Sequence, residues 1–267
     1  MQNRKIVCID SDGCAMDTMN YKHIYCFGPI AVRVFNIKEK EEFLKKWNKI
    51  NLYSKTRGVN RFVGLSLVFD SINKPLNDLK AWINSTNELS NKSLEKEISK
   101  KKSGELEKAL IWSNEVNRKI EGIKYMAKPF SSVKDAIHKM KKYVDIAIVS
   151  AANNEAIKDE WEKFGLIDYV DYVMGQSQGT KKDCIKYLID KGYEPKNIVM
   201  IGDSPGDILS AKENNVLMYP IIVNEENKSW DLFINHILEK FLKDEYKDAE
   251  YIEKYERKLG DLDAKNS

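Results

Sequence analysis

One short apolar run stands alone near the start of the chain, far from the other runs of its kind. Residues 5–10 (KIVCID) are apolar up to a final carboxylate, which predicts a buried parallel strand. Four similar runs come only after Pro129 and alternate with helical patterns: residues 144–150, 169–174, 197–203 and 216–223. Because one strand cannot form a sheet by itself, we expect the first run to pair with the later four. Strands that alternate with helices predict an α/β chain with right-handed βαβ connections and a doubly wound parallel sheet.

The segment between the first run and the later ones, residues 15–127, has a different pattern. Its apolar residues recur at helical spacing, as in Phe43, Leu44, Trp47 and Ile50, with charged residues between them. This pattern predicts several amphipathic helices that form a second domain inserted after the first strand. The predicted boundaries are 1–14 for the first strand and its loop, 15–127 for the helical insert, 128–242 for the rest of the core, and 243–267 for a charged C-terminal extension that frays or projects.

Composition and charge exclude several classes of protein. Lys and Arg number 44 against 41 Asp and Glu, a net charge of +3, which argues against a dedicated nucleic-acid surface. No apolar run approaches the ~18 residues needed to cross a bilayer, and the N-terminal apolar run is too short for a signal peptide. We therefore expect a cytoplasmic protein without a nucleic-acid or membrane partner. Its four cysteines form no CxxC pair and are expected to be reduced thiols.

Polar residues end three of the predicted strands. Asp10, Ser150 and Asp203 each close a nearly all-apolar run. In an open parallel sheet, ligands bind beyond the carboxyl ends of the strands, so we expect these residues at one rim. Asp12 and Asp207 bring two more carboxylates to the same place. Three or four carboxylates without a histidine or thiolate are typical of a site for a hard cation such as Mg²⁺.

Donors for a phosphoryl group are predicted beside these carboxylates. The Ser150 hydroxyl, the Lys181 ammonium and the backbone amides near Gly13 can each donate to phosphate oxygens. Magnesium sites of this kind usually bind substrate phosphates as well. The residues therefore favour a site for Mg²⁺ and a phosphorylated ligand.

Four segments, in the order the family requires, resemble the motifs of the haloacid dehalogenase-like (HAD) superfamily, whose members are mostly phosphohydrolases. They are an apolar strand followed by DxDG, an apolar strand that ends in Ser, a lysine that leads a helix, and GDxxxD: residues 6–13, residues 146–150, Lys181 and residues 202–207. The resemblance implies a Rossmann-like core with a helical C1-type cap as the insert. Cys14 departs from the pattern, because the family commonly has Thr there. Lys182 is the alternative to Lys181 for the third motif.

The resemblance also implies a chemical role for each matching residue. Asp10 would attack phosphorus and form an aspartyl-phosphate. Asp12 would protonate the leaving alcohol and then activate a water. Ser150 and Lys181, with the loop at Gly13, would bind the phosphoryl oxygens. The implied reaction is the hydrolysis of a small phosphorylated metabolite.

Mg²⁺ is the implied cofactor. In the family's pattern it would be held by the Asp10 carboxylate, the Asp12 backbone carbonyl and Asp203. Asp207 would bind it directly or through water. The resemblance thus implies that each carboxylate predicted at this edge of the sheet binds the metal or takes part in the reaction.

Other functions fit parts of the sequence. A phosphomutase stays open, since the same site can return the phosphoryl group to a sugar, whereas a metal-free dehalogenase has no need of Asp12. Residues 202–206 also match GxSxG, which would make Ser204 the nucleophile of a serine hydrolase. That alternative leaves Asp10 unexplained and has only His236 downstream as a base. A catalytically inactive binding protein would lack Asp10 or Asp203, and both are present.

Arg57 and Arg61 are the candidate specificity residues of the insert. They flank Gly58 within residues 53–62, which also contain a lysine and two aromatic residues, and such a cluster can bind an anionic substrate. A helix N-terminus with exposed arginines explains the same residues equally well. The substrate and the oligomeric state are left open.

Overall fold

Five short strands pair into one parallel sheet in the computed structural model, which describes residues 4–86 and 88–266. They are β1 (Ile6–Ile9), β2 (Asp145–Val149), β3 (Tyr172–Met174), β4 (Ile198–Gly202) and β5 (Leu217–Pro220). Their order across the sheet is β3-β2-β1-β4-β5, and every neighbouring pair is parallel. The N-terminal strand therefore lies in the middle, where Ile9 is in register with Ile148 and Ile201. The predicted α/β, Rossmann-like, doubly wound sheet is confirmed.

In the described residues, seven α-helices lie between β1 and Ala127: α1 (Met19–Lys22), α2 (Gly28–Val34), α3 (Lys40–Leu52), α4 (Arg61–Ser71), α5 (Asn77–Ser85), α6 (Asn91–Lys100) and α7 (Gly104–Ile123). A π-helical segment, His23–Phe27, joins α1 to α2. By internal contacts, residues 20–126 and the chain from Leu262 onward form one compact unit. This helical unit has a core of its own, in which Trp112 packs edge to face against Trp47 and Phe62.

The chain up to Met19 and residues 127–261 form the other unit, the core. The remaining helices are α8 (Val133–Met140), α9 (Asn154–Lys163), α10 (Lys181–Asp190), α11 (Pro205–Glu213), α12 (Glu226–Leu232), α13 (Leu238–Leu242) and α14 (Ala249–Lys265). Alternate residues of β1 face opposite sides: Val7 packs with residues of α8, α9 and α12, whereas Cys8 packs with residues of α10 and α11. Burial on both faces explains why the strands are continuous apolar runs. None of the helices in the described ranges is long and apolar enough to cross a membrane.

Most of the C-terminal segment is helical, so the expectation that residues 243–267 fray or project is wrong for α14. α14 is a regular helix, and Tyr255 and Leu259 are buried at 1% and 3% exposure. Their spacing of four residues places both side chains on one face of the helix. The charged residues that suggested a loose extension occupy the other faces.

Gly202, the last residue of β4, offers a test of this packing. A Cβ at this position would overlap the carboxyl group of Asp207, which is fully buried. We expect Gly202→Ala to lower the free energy of unfolding by about 1–3 kcal/mol, because neither the strand nor a buried carboxylate can move aside without cost. Urea denaturation of the purified protein measures this change.

Gly206→Ala is the matched control. A Cβ there would lie 3.5 Å from the Ser204 Oγ, an ordinary contact, in the first turn of α11. We expect no loss of stability in this variant, since alanine favours a helix more than glycine does. Equal losses in both variants would contradict this account of Gly202.

Candidate active site

The two central strands place two buried carboxylates side by side. Asp10 follows β1 directly, and its backbone N–H donates to the Ile201 carbonyl of β4 at 2.9 Å. Asp203 follows the last residue of β4, the neighbouring strand. Both residues are buried, at 5% and 1% exposure. The structure thus brings Asp10 and Asp203 together at the carboxyl edge of the sheet.

A third carboxylate, Asp207, comes from the first turn of α11. Ser204 caps this helix, because its Oγ accepts from the Asp207 N–H while the Asp207 Oδ2 accepts from the Ser204 N–H at 3.0 Å. Carboxylate oxygens of Asp10, Asp203 and Asp207 all lie within 4.8 Å of one another. Three buried carboxylates at this separation can hold a divalent cation.

Lys181 extends its ammonium group into this carboxylate cluster. It is the first residue of α10, whose start is set by a capping box between Thr180 and Asp183. The Lys181 Nζ lies 2.8 Å from Asp10 Oδ2 and 2.5 Å from Asp207 Oδ1. One lysine therefore bridges two of the three carboxylates.

The electrostatics of the cluster favour an additional positive charge. Burial raises the pKa of Asp10 well above its ordinary value; Lys181 opposes this shift, whereas Asp207 and Asp203 add to it. Burial alone would lower the pKa of Lys181, but Asp10 and Asp207 outweigh burial and hold that pKa above its ordinary value. If every group were ionised, three carboxylates and one ammonium would give a formal charge of −2. A divalent cation offsets this charge, and oxygen-only ligands suit Mg²⁺.

Asp12 lies in the turn after β1 and, unlike Asp10, is partly exposed. Its Oδ1 accepts a hydrogen bond from the hydroxyl of Thr18. Gly13 has a φ of +81°, a left-handed conformation that favours glycine, and its N–H donates to the Met16 carbonyl at 2.8 Å. The Gly13 amide is therefore already hydrogen-bonded within the turn. The phosphate contacts predicted for this loop would come from neighbouring backbone amides.

Two buried tryptophans donate hydrogen bonds to the same loop. The Trp161 Nε1 donates to the Ser11 Oγ at 3.0 Å, and the Trp230 Nε1 donates to the Cys14 carbonyl at 2.9 Å. The Cys14 thiol lies 3.5 Å from the Ile201 carbonyl. Burial and the nearby carboxylates raise the pKa of this thiol, so it keeps the proton that it donates. Cys14, which stands where the family commonly has Thr, therefore still donates a hydrogen bond within the loop. No local pattern in the sequence indicated that Trp161 and Trp230 would contact it.

The remaining predicted phosphate-binding residues take separate positions. Ser150 follows β2, the other neighbour of β1; it is buried, and its Oγ accepts from the Ala152 N–H at 3.2 Å. Its own N–H donates to the Met174 carbonyl at 3.0 Å, which extends the ladder to β3. Lys182, the alternative lysine, is exposed and pairs with Glu213 at 3.6 Å. The structure therefore brings only the first of the two lysines to the carboxylates.

Arg57 and Arg61 have partners within the helical unit. The Arg57 guanidinium donates to the Leu52 carbonyl at 2.8 Å, and the residue is 2% exposed, so the alternative of exposed arginines is wrong for Arg57. The Arg61 Nη1 donates to Ser113 Oγ at 3.1 Å and to Asn117 Oδ1 at 2.6 Å. Both arginines thus support local structure, and their role in specificity stays a prediction.

The serine-hydrolase alternative lacks a base at Ser204. The Ser204 hydroxyl donates to Asp207 Oδ2 at 2.7 Å, as part of the helix cap. His236, the only downstream histidine, is exposed on the π-helical segment Phe233–Ile237. No histidine in the described ranges bonds to Ser204, so the GxSxG match describes a capped strand-to-helix turn here.

Comparisons with known proteins place this arrangement in a family. The sequence model of the haloacid dehalogenase-like hydrolase family matches residues 65–223, more than half of the chain. No curated protein matches the chain at a significant level.

Solved structures with the same fold include three distant relatives. A haloacid dehalogenase-like hydrolase from Bacteroides fragilis has 14% identity and a TM-score of 0.56, over 85% of this chain and 93% of that chain. A predicted phosphoglycolate phosphatase from Haemophilus somnus has 15% identity and a TM-score of 0.55, over 84% and 87%. The HAD-hydrolase YfnB from Bacillus subtilis, solved with magnesium, has 12% identity and a TM-score of 0.51, over 82% and 87%. These likenesses show the fold, and the family match shows that this chain belongs to the haloacid dehalogenase-like hydrolases.

Proposed function

We propose that this hydrolase is a Mg²⁺-dependent phosphatase, which hydrolyses a small phosphorylated metabolite through an aspartyl-phosphate on Asp10. The observation that carries the proposal is the convergence of Asp10, Asp203 and Asp207 around the Lys181 ammonium, all at the carboxyl edge of the central strands. This site combines a nucleophilic carboxylate with the charge and ligands that a phosphoryl group and its metal require.

Asp10 is suited to be the nucleophile. The Ser11 N–H donates to Asp10 Oδ1 at 2.8 Å, and Lys181 faces Oδ2. These contacts fix the orientation of the carboxylate, and Lys181 favours its ionised, nucleophilic form. In the proposed first step, a carboxylate oxygen of Asp10 forms a bond to phosphorus as the bond from phosphorus to the leaving oxygen breaks.

Asp12 is suited to move the protons of both steps. It is partly exposed, and the Thr18 hydroxyl holds one of its oxygens. Asp12 would give its proton to the leaving alcohol and then take a proton from the water that attacks phosphorus. The second step restores the Asp10 carboxylate and releases inorganic phosphate.

The metal site would use the three buried carboxylates and the Asp12 backbone carbonyl. When bound, Mg²⁺ would supply positive charge that offsets the charge of the carboxylates and of the phosphoryl oxygens. The related hydrolase from Bacillus subtilis was solved with magnesium, which supports this choice of cation. Lys181, Ser150 and the loop at Gly13 would hold the phosphoryl oxygens.

We propose that the helical insert, residues 15–127, is a C1-type cap that selects the leaving group. Residues 20–126 of this insert have a buried aromatic core of their own. Arg61, whose guanidinium is held by Ser113 and Asn117, is a candidate for an anionic part of the substrate. Arg57 would contribute from its buried position by supporting the same segment.

Substitution of the nucleophile tests the mechanism. We expect Asp10→Asn to keep the fold and to lower phosphatase turnover by roughly a thousandfold or more, because an amide cannot attack phosphorus. Asp190→Asn, at an exposed position of α10, is the matched control and should keep full activity. Turnover of a set of phosphorylated metabolites with Mg²⁺ measures both.

Trapping the intermediate extends this test. Asp12→Asn should slow breakdown of the aspartyl-phosphate, so intact-protein mass spectrometry after mixing with substrate should find a mass gain of one phosphoryl group. The same gain should be absent from the double variant that also carries Asp10→Asn. Normal turnover by Asp10→Asn would overturn the mechanism.

Removal of the cation tests the metal site. We expect EDTA to abolish turnover and added Mg²⁺ to restore it, since Lys181 alone offsets only part of the charge of the carboxylates and of the phosphoryl group. Asp203→Ala should raise the Mg²⁺ concentration needed for half-maximal activity by roughly tenfold or more, because one metal ligand is lost. Activity that is indifferent to EDTA would reject a metal-dependent route.

A further inference from the structure

The last helix of the core brings a buried tyrosine to the carboxylate cluster. Tyr255 of α14 is 1% exposed, and its hydroxyl donates to the backbone carbonyl of Asp203 at 2.8 Å. This helix lies beyond the family match, which ends at residue 223, and beyond the last matching motif. A segment outside the matched residues therefore contacts the backbone of a proposed metal ligand.

The peptide group that Tyr255 contacts is held at both ends. Its carbonyl belongs to Asp203 and accepts from Tyr255, while its N–H belongs to Ser204 and donates to Asp207 Oδ2 at 3.0 Å. A donor on the carbonyl polarises the peptide and strengthens the N–H as a donor. One peptide plane therefore links the tyrosine to the orientation of two of the three carboxylates.

We infer that Tyr255 is a positioning residue for the metal site, acting through the peptide between Asp203 and Ser204. This inference rests on the proposed function, because it assigns the residue to the Mg²⁺ site named there. Loss of the hydroxyl removes a donor from a buried carbonyl, and the peptide can then rotate toward another partner. Such a rotation moves the Asp203 carboxylate and loosens the hydrogen bond that orients Asp207, so Mg²⁺ binds less tightly.

The chain contains matched controls for a purely structural role. The hydroxyl of Tyr246 donates to the Met218 carbonyl of β5 at 2.7 Å, and that of Tyr219 donates to the Ser229 carbonyl of α12 at 2.7 Å. Both tyrosines are buried, like Tyr255, and both bonds join a tyrosine hydroxyl to a backbone carbonyl. Neither acceptor belongs to a residue of the carboxylate cluster.

The experiment compares Mg²⁺ binding by the unsubstituted protein, Tyr255→Phe and Tyr246→Phe. The proteins are stripped of metal and titrated with MgCl₂ by isothermal calorimetry without substrate. We expect Tyr255→Phe to weaken Mg²⁺ affinity by roughly three- to tenfold, the scale of one hydrogen bond, and Tyr246→Phe to leave it unchanged. Thermal unfolding without metal should show similar losses in both variants, because each loses one buried hydrogen bond.

Each other outcome has a definite meaning. If the parent protein binds no Mg²⁺, the proposed metal site fails, whatever the variants do. If the parent binds Mg²⁺ and Tyr255→Phe binds it equally well, the inference about Tyr255 is overturned and the proposed function stands. If Mg²⁺ affinity fell equally in both variants, the inference would also be overturned, and Tyr255 would contribute only to the stability of the fold. A steady-state check follows: in Tyr255→Phe the Mg²⁺ requirement should rise while KM for the phosphorylated substrate at saturating Mg²⁺ stays the same.

Discussion

The buried ion cluster around Lys181 is the constraint on which the rest of the site depends. Three carboxylates within 4.8 Å of one another would repel strongly in a dry interior, and the Lys181 ammonium, bound to Asp10 and Asp207, offsets only part of that charge. Burial of such a cluster costs folding free energy, so the cluster does not stabilise the fold. With every group ionised the cluster would keep a formal charge of −2, which suits the divalent cation that we propose for this site.

Sheet topology makes the cluster possible. Because β1 lies between β2 and β4, residues separated by most of the chain meet at one edge: Asp10, Asp203 and, one strand away, Ser150. The helices that follow β3 and β4 each begin with a capping box, and these caps determine where Lys181 and Asp207 enter the site. Parallel strands and capped helices thus bring side chains from three connections, those after β1, β3 and β4, into one cluster.

The loop after β1 owes its shape to partners far away in the sequence. Trp161 and Trp230 bond to Ser11 and to the Cys14 carbonyl, so indole groups from two different helices satisfy buried polar atoms of the loop. Tyr255 does the same for the carbonyl of Asp203, which directly follows β4. Aromatic residues suit this task because they fill the apolar core while each offers one polar group at its edge.

The sequence by itself determined that five strands form and that polar residues follow three of them, because these features depend on local apolar runs and on residue chemistry. The structure decided between Lys181 and Lys182 and shortened the third strand to Tyr172–Met174. The sequence also predicted that the first strand joins the later four, since a lone strand has no other way to bond its backbone. Tertiary structure alone decided that Trp161, Trp230, Thr18 and Tyr255 support the site, that Arg57 is buried, and that the charged C-terminal segment packs as a helix. Apolar and aromatic residues do recur at helical spacing there, as in Tyr251, Tyr255 and Leu259, but many charged residues stand between them. Contacts of this kind form between residues that are distant in the sequence and meet only in the folded chain. The local spacing of residues therefore cannot predict them.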